Sequence, residues 1–410
     1  MPTFPWPGVN THIVSVGKTK LARYQSVQKA LDSITDSAAE NPYLVDVWPG
    51  IYDEAITLVK SHVAVRGRSR HASIIRNPSS GSFAFQIGDA AGLTEHVSVE
   101  NIRVVQVPSS SPGPAIAVGP YVTYSTVLNW DNVRIRDVDV DGNHDGIQAF
   151  GQTSAVTTPG LLSLQGCHVR CAHDAVALKG NARIRSIGNL IVVDSSSVPP
   201  YITSGISAWK TTGFHFNFTQ TPTSVACVFD SVGDQIYIKG AGNSGGVAAQ
   251  RTLTGILYYN SVTVQAGSGV YVPHSQIHGI KIFIESDFDY AANTIDNGIA
   301  GINLYGAMDV PDERVVISNF RIRVDQKNAG AGGNTPDVHG IRLRTYNNDG
   351  ATATVRAIHG SISGTNAAAG KTAYCLTTVG ANDTIKHGSL FSDLAKSPGT
   401  GNITALTAVA

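Results

Sequence analysis

The stretch NHDGIQAFG (143–151) and its echo HDAVALKG (173–180) decide the fold. In each, a His-Asp pair and a small residue precede an alternating apolar strand, Ile147 and Ala149 in one, Val176 and Leu178 in the other. Working outward, the same turn-then-strand pattern reads SFAFQIG around Phe85 and GPAIAVG around Ile116. Downstream it reads SGISAWK around Ile206, DQIYIKG around Ile236, SGVYV around Val270, NGIAGINLYG around Ile299, HGIRLR around Ile341 and AYCL around Cys375. Successive anchors are separated by 31, 31, 29, 30, 30, 34, 29, 42 and 34 residues, and NAGAGGNTPD (328–337) reads as a loop insertion in the long step.

A second alternating strand repeats out of phase with the first. Its copies are VENIRVVQV (99–107), WDNVRIRDVDV (130–140), LQGCHVR (164–170), YYNSVTVQA (258–266), SNFRIRV (318–324) and AIHGSIS (357–363). Val133 and Ile135 point to one face and Arg134 and Arg136 to the other, which is strand periodicity. Two or three short strands per step of about 30 residues cannot bury their apolar face alone, so each repeat must stack on its neighbours. No helical period separates the strands, so they pair from repeat to repeat. A propeller needs longer blades, of about 40–50 residues. The expectation is an all-β, single-stranded, right-handed parallel β-helix of about ten rungs.

Terminal rungs need cover. Tyr24, Val27, Leu31 and Ile34 lie at helical spacing, and the Asn41-Pro42 step blocks continuation. The spacing predicts an N-terminal arm and capping helix over 1–40, the solenoid over 41–395, and a C-terminal tail over 396–410.

The formal net charge of zero and the 15% of charged residues provide no electrostatic footprint for nucleic acid or an anionic membrane. A neutral polymer such as a polysaccharide fits better. Of the four cysteines, Cys167 and Cys171 lack a second closely spaced pair, so buried thiols are expected and no metal site. No cofactor motif occurs in a supporting context. MPTFPWPGVN has no basic segment followed by an apolar run, and no apolar stretch reaches a membrane span.

Residues 21–77 resemble the opening of pectin methylesterases and related pectate-lyase-like β-helix proteins. YQSVQKALDSI, YLVDVWPGIYDEAITL and HVAVRGRSRHASIIRN carry the resemblance, over about a seventh of the chain. It implies a helix-capped solenoid, a scaffold also used in phage tailspikes and tail fibres. The esterases' Gln-Asp step, Asp-Phe-x-Phe-Gly segment and Arg-Pro-Trp segment are absent, so esterase activity is not expected. Asn143-His144-Asp145-Gly146-Ile147 is similar to the first motif of polygalacturonases. His173-Asp174-Ala175-Val176-Ala177 is similar to the second, with its first Asp replaced by His. His278-Gly279-Ile280-Lys281 and His339-Gly340-Ile341-Arg342 echo the later motifs in part.

The register places Asp145 above Asp174 and His144 above His173, with backbones about 4.8 Å apart. Two carboxylates that close should raise one pKa, and an acid beside a carboxylate is what glycosidic cleavage needs. The same residues also serve as ordinary turn caps. Lys179, Trp209, Arg342 and Arg344 are the candidate substrate-binding residues, with Lys179 and Trp209 each three past an anchor. The acids of IESDFDY (Glu285, Asp287, Asp289) and MDVPDERV (Asp309, Asp312, Glu313) read as solvated loops. The functional expectation is a virion tail fibre or tailspike, homotrimeric, assembled in a host cytoplasm. It would bind host surface polysaccharide beside other virion tail proteins. The alternatives are an extracellular polysaccharide hydrolase or lyase, acting through carboxylates on the β-helix surface, and a purely structural virion component.

Overall fold

The computed structural model describes residues 11–78, 83–107, 113–120, 129–151, 160–180, 182–195, 208–217, 228–242, 250–260, 270–271, 275–288, 299–306, 308–327, 337–345, 353–367, 372–379, 383–397 and 402–405. The chain winds as a right-handed parallel β-helix, the hand that parallel crossovers adopt. Three sheets form its walls. Sheet 1 runs from His12–Val16 through Thr94–Glu100, Trp130–Arg136 and Leu161–Gln165 to Asn402–Ala405. Sheet 2 stacks Gly50–Asp53, Ser73–Asn77, Arg103–Gln106, Asp139–Asp141, His168–Cys171, Leu190–Asp194, Gln235–Gly242, Lys281–Phe288, Arg321–Gln326 and the end of Ala353–Asn366. Sheet 3 has eleven described strands, from Ile56–Leu58 to Ala395–Ser397.

From the strand Thr94–Glu100 onward, sheets 1 and 2 meet at a corner two residues long. Its first residue is left-handed: Asn101, Asp137, Gly166, Gly188, Gly233, Gly279, Asn319 and His359 all have φ between 50° and 71°. Glycine reaches that conformation freely, and Asn, Asp and His are the side chains that reach it most readily. The next residue turns into the core. Ile102, Val138, Cys167, Ile280 and Phe320 fill that inner column, and Asn189 and Asp234 interrupt it with a buried polar pair.

In sheet 3 the inward column reads Ile56, Phe85, Ile116, Ile147, Val176, Phe214, Ile256, Ile302, Ile341 and Leu376. The expected anchors Phe85, Ile116, Ile147, Val176 and Ile341 lie in it. The others do not. Ile206 lies outside the described residues, and Phe214 is the partner of Val176. Ile236 belongs to sheet 2, paired with Ile191 and Ile282. Val270 pairs with Met308. Ile299 sits opposite Val338, and Cys375 is one residue short of Leu376. YYNSVTVQA begins at the end of a sheet 3 strand, Gln250–Asn260, rather than as a second-strand copy. The proposed loop over 328–337 lies outside the described residues except for its last position.

One place before each inward anchor stands a small residue: Ala84, Ala115, Gly146, Ala175, Gly213, Gly255, Gly301, Gly340 and Cys375. At Gly213, Gly255, Gly301 and Gly340 the isoleucine of sheet 2 in the same rung, Ile236, Ile282, Ile322 or Ile362, occupies the space a β-carbon would need.

The ends also differ from expectation. His12–Val16 pairs in register with Tyr43–Val47, so the solenoid starts inside the supposed arm. The helix is one short segment, Val27–Asp32. Ser26 caps it, and Glu54 accepts from the Ser26 hydroxyl (2.6 Å) and the Val27 amide (2.7 Å), satisfying amides that the first turn leaves without partners. Val27, Leu31 and Ile34 are buried as the stripe predicts. Ala395–Ser397 and Asn402–Ala405 pair with the preceding rung, so the supposed tail carries part of the solenoid.

Candidate functional site

The strands Asp145–Phe150 and Asp174–Lys179 follow connections of only three and two residues from sheet 2, which hold the His-Asp pairs at the sheet 3 edge. His144, Asp145, His173 and Asp174 come together as the sequence predicts. His144 Nδ1 and His173 Nδ1 lie 3.1 and 2.8 Å from Asp145 Oδ1, and the two rings stack with centroids 4.4 Å apart. The Asp174 amide donates to the same oxygen (3.1 Å), and the Gln148 side-chain amide donates to Oδ2. One rung further, Thr212 Oγ1 and His215 Nδ1 meet Asp174 at 2.6 and 2.8 Å. The result is an alternating ladder of imidazoles and carboxylates. His215 was missed, because the sheet 2 to sheet 3 connection after Asp194 lengthens and its rung falls out of the 30-residue step.

The ladder is enclosed: Asp145 and Asp174 are 5% and 3% exposed. Burial by itself pushes both carboxyls up. For Asp145 the charges and hydrogen bonds of His144 and His173 outweigh it and hold the group well below the usual range. For Asp174, His173 and His215 do the same, against the opposing charge of Asp145. Burial pushes His173 down, and the two carboxylates win and raise it. The expected raised carboxylic acid is therefore replaced by two ionised carboxylates, because an imidazole stands between them. The expectation of no metal site rested on cysteine spacing alone. His144, Asp145 and His173 bring three atoms able to ligate a metal within 4.8 Å of one another.

The expected substrate-binding residues separate into two groups. Lys179 lies over the Phe150 ring (5.3 Å), beside the ladder. Arg344 lies over Tyr305 (5.2 Å), which stacks on Tyr259. Arg342 shares a column with Gln148 and His215 but stands five rungs from Gln148, about 24 Å away. Trp209 is not in register with Lys179. Its backbone pairs with Arg251, and Lys179 pairs with Asn217, because the anchor of that rung is Phe214 rather than Ile206.

His339 lies in the outward column of Asp145 and Asp174, with Nδ1 2.9 Å from Thr377 Oγ1. Burial, helped by Arg342, holds its pKa well below the ordinary 6.5. The folded state thus keeps it neutral, while the unfolded chain takes up a proton below about 6.5. Its contribution to stability is present above that value and is lost as pH falls toward the depressed folded pKa. The melting temperature is expected to drop between pH 7.5 and 5.0, and His339→Gln to flatten that part of the profile. An unchanged profile in the variant would remove His339 as the cause.

A second site lies on the outer face of sheet 2, and it includes Glu285, which stands in the strand Lys281–Phe288 rather than in the solvated loop expected from the sequence. A groove of about 670 Å³ is lined by Val192, Asp194, Tyr237, Lys239, Phe283, Glu285, Arg323, Asp325 and Lys327, among others. Tyr237 and Phe283 stack at 5.1 Å, and Arg321 lies over Phe283. Val192, Tyr237 and Phe283 occupy one column and Asp194, Lys239 and Glu285 the next outward one. Through Val192 and Asp194 the groove continues into a hollow of about 360 Å³ at Asp141 and Arg170. There Asp141 pairs with both Arg103 and Arg170 at 2.6 Å. A mark for this site was available in the sequence: IYIKG (236–240) and IKIFIE (280–285) share an apolar alternation whose outward members include an aromatic followed by a charged residue, Tyr237 and Lys239 in one, Phe283 and Glu285 in the other.

No protein-family model matches this chain, and no curated protein does. The solved structures it resembles include pectin methylesterases and a DFA-IIIase. A pectin methylesterase from carrot aligns with a TM-score of 0.42 and 10% identity, covering 98% of this chain and 89% of that one. A pectin methylesterase from Erwinia chrysanthemi aligns with a TM-score of 0.39 and 11% identity, over 97% and 92%. A DFA-IIIase from Arthrobacter chlorophenolicus A6, solved in complex with GF2, aligns with a TM-score of 0.44 and 12% identity, over 96% and 97%. Likenesses this distant say nothing about activity.

Proposed function

We propose that the protein is a polysaccharide-binding β-helix whose polymer lies along the sheet 2 groove. The observation that carries this reading is the groove itself: an apolar strip of Val192, Tyr237 and Phe283 beside a row of charged side chains of both signs. A sugar ring has apolar C–H faces and a hydroxyl rim, and that strip and row match the two. From the Asp141 rung to the Arg323 rung is five steps, about 24 Å, long enough for several sugar units of an extended chain. The zero net charge suits a neutral or weakly charged glycan. The enclosed ladder on sheet 3 makes binding, rather than cleavage at Asp145 and Asp174, the better reading. The virion tail fibre or tailspike setting, with a homotrimer on a host surface glycan, belongs to the same proposal.

Titration of the intact protein with purified bacterial envelope polysaccharides tests it. Tyr237→Ala with Phe283→Ala is expected to weaken binding by about tenfold per ring, with the circular dichroism unchanged. Arg344→Ala on sheet 3 is expected to leave it intact. Equal binding by the double variant would reject the groove. A monomeric mass in solution would reject the trimeric tail setting.

A further inference from the structure

We propose that His144, Asp145 and His173 form a binding site for a divalent transition-metal ion of the zinc class. The site is on sheet 3, apart from the glycan groove, so either proposal can fail without the other.

The argument starts from one oxygen atom. Asp145 Oδ1 has three nitrogens around it: His144 Nδ1 at 3.1 Å, His173 Nδ1 at 2.8 Å and the Asp174 amide at 3.1 Å. A carboxylate oxygen offers two lone pairs, so three nitrogens at these distances crowd it. The crowding is relieved if the imidazole nitrogens present lone pairs to a cation rather than protons to the oxygen. In a tetrahedral zinc-class site with bonds of about 2.0–2.2 Å, the ligand atoms stand roughly 3.3–3.5 Å apart. The separations from Asp145 Oδ1 need to open by about 0.2–0.7 Å to reach that range, and all three ligand atoms already lie within 4.8 Å of one another. Two imidazoles and one carboxylate are a donor set suited to zinc, cobalt or nickel rather than to calcium or magnesium, which prefer all-oxygen shells.

The surroundings are already built. The Gln148 amide holds Asp145 Oδ2, which leaves Oδ1 directed at the imidazoles. The His173 amide donates to the His144 carbonyl at 2.8 Å, tying the two ligand-bearing turns together. Asp174 Oδ2 lies 3.6 Å from His173 Nδ1 and is itself held by His215, so a second carboxylate stands beside the three ligand residues. Asp145 and Asp174 together bring two negative charges into a dry region, which a dication would balance. The fourth coordination position is left for water or a small ligand.

The chelator-stripped protein is dialysed against Zn²⁺ or Co²⁺ and its metal content measured. One ion per chain is expected, with a higher melting temperature. Co²⁺ is expected to produce the visible absorption of a four-coordinate nitrogen and oxygen site. His144→Ala, which leaves the Asp145 contacts to His173 and Gln148 in place, is expected to weaken Co²⁺ binding at least tenfold and remove the absorption. Asp145→Asn is expected to do the same. Should either variant misfold, the wild-type stoichiometry and spectrum decide the matter. Less than a tenth of an ion per natively folded wild-type chain in excess metal overturns the proposal. So does equal Co²⁺ binding by folded His144→Ala.

Discussion

Asp234→Ala is expected to cost about 3 kcal/mol or more of stability, measurable as a lowered denaturant midpoint. Asp234 is fully buried at the corner between sheets 1 and 2. Its carboxyl accepts from the Asn189 amide (2.8 Å), the Asn189 side chain (3.0 Å) and the Ser231 hydroxyl (2.6 Å). Asn189 in turn accepts from the Cys167 amide (2.8 Å), so a chain of two acceptors links three successive corners. Truncation strands the Asn189 backbone amide and the Ser231 hydroxyl away from water, while the Asn189 side chain keeps Leu164 and Ser186, and each stranded donor costs about 1–3 kcal/mol. Burial raises the pKa of Asp234, against the pull of its hydrogen bonds. What that raised pKa contributes to stability is therefore present at low pH and lost as pH rises through the folded pKa. The sister positions of this column are apolar. Replacing Asn189 and Asp234 together with Leu is accordingly expected to cost less than Asp234→Ala alone. A double variant no better than the single would show that the polar pair shapes the corner rather than only occupying it.

The second large effect is expected at Gly301. A β-carbon there would stand 2.4 Å from Ile322 Cγ2 and 2.7 Å from the Gly340 carbonyl oxygen. The first belongs to the wall opposite and the second to the next rung's backbone, so neither can yield without opening a ladder. Gly301→Val is expected to destabilise by about 3 kcal/mol or more, or to prevent folding. Gly188→Asn is the counterpart. Gly188 has φ +60°, with open space around a would-be β-carbon, and Asn101 and Asn319 stand at equivalent corners. That change is expected to alter stability by less than about 0.5 kcal/mol. Urea midpoints of the two variants settle the comparison.

The fold was legible because strand alternation and a near-constant step are visible in four early copies. Around Asp145 and Asp174 the sheet 2 to sheet 3 connections are minimal, so sequence distance equals one turn of the helix. Beyond Lys179 the connections lengthen and the step no longer measures a rung. DQIYIKG then passes for a sheet 3 strand, since sheets 2 and 3 show the same alternation. The corner residues are the steadier mark. Asn101, Asp137, Gly166, Gly188, Gly233 and Gly279 each stand just past a sheet 1 strand and two before a sheet 2 strand, whatever the spacing elsewhere. The His144 and His173 pairing followed from register. The ionisation of their partners did not, because it depends on which nitrogen faces which oxygen.

The two-residue corner has a consequence for how recognition by this molecule can change. From Asn101 onward, through every rung that lines the groove, sheet 2 is fastened to sheet 1 by a two-residue link too short to accept an insertion without breaking both ladders. The groove floor therefore cannot be reshaped from that edge by grafting or lengthening a loop. A new ligand preference must come from exchanging single outward side chains such as Tyr237, Lys239, Phe283 or Glu285 on an unmoving frame. Each such exchange is a small step that leaves the architecture standing, so close relatives of this chain can diverge in what they hold while remaining superimposable in how they hold it.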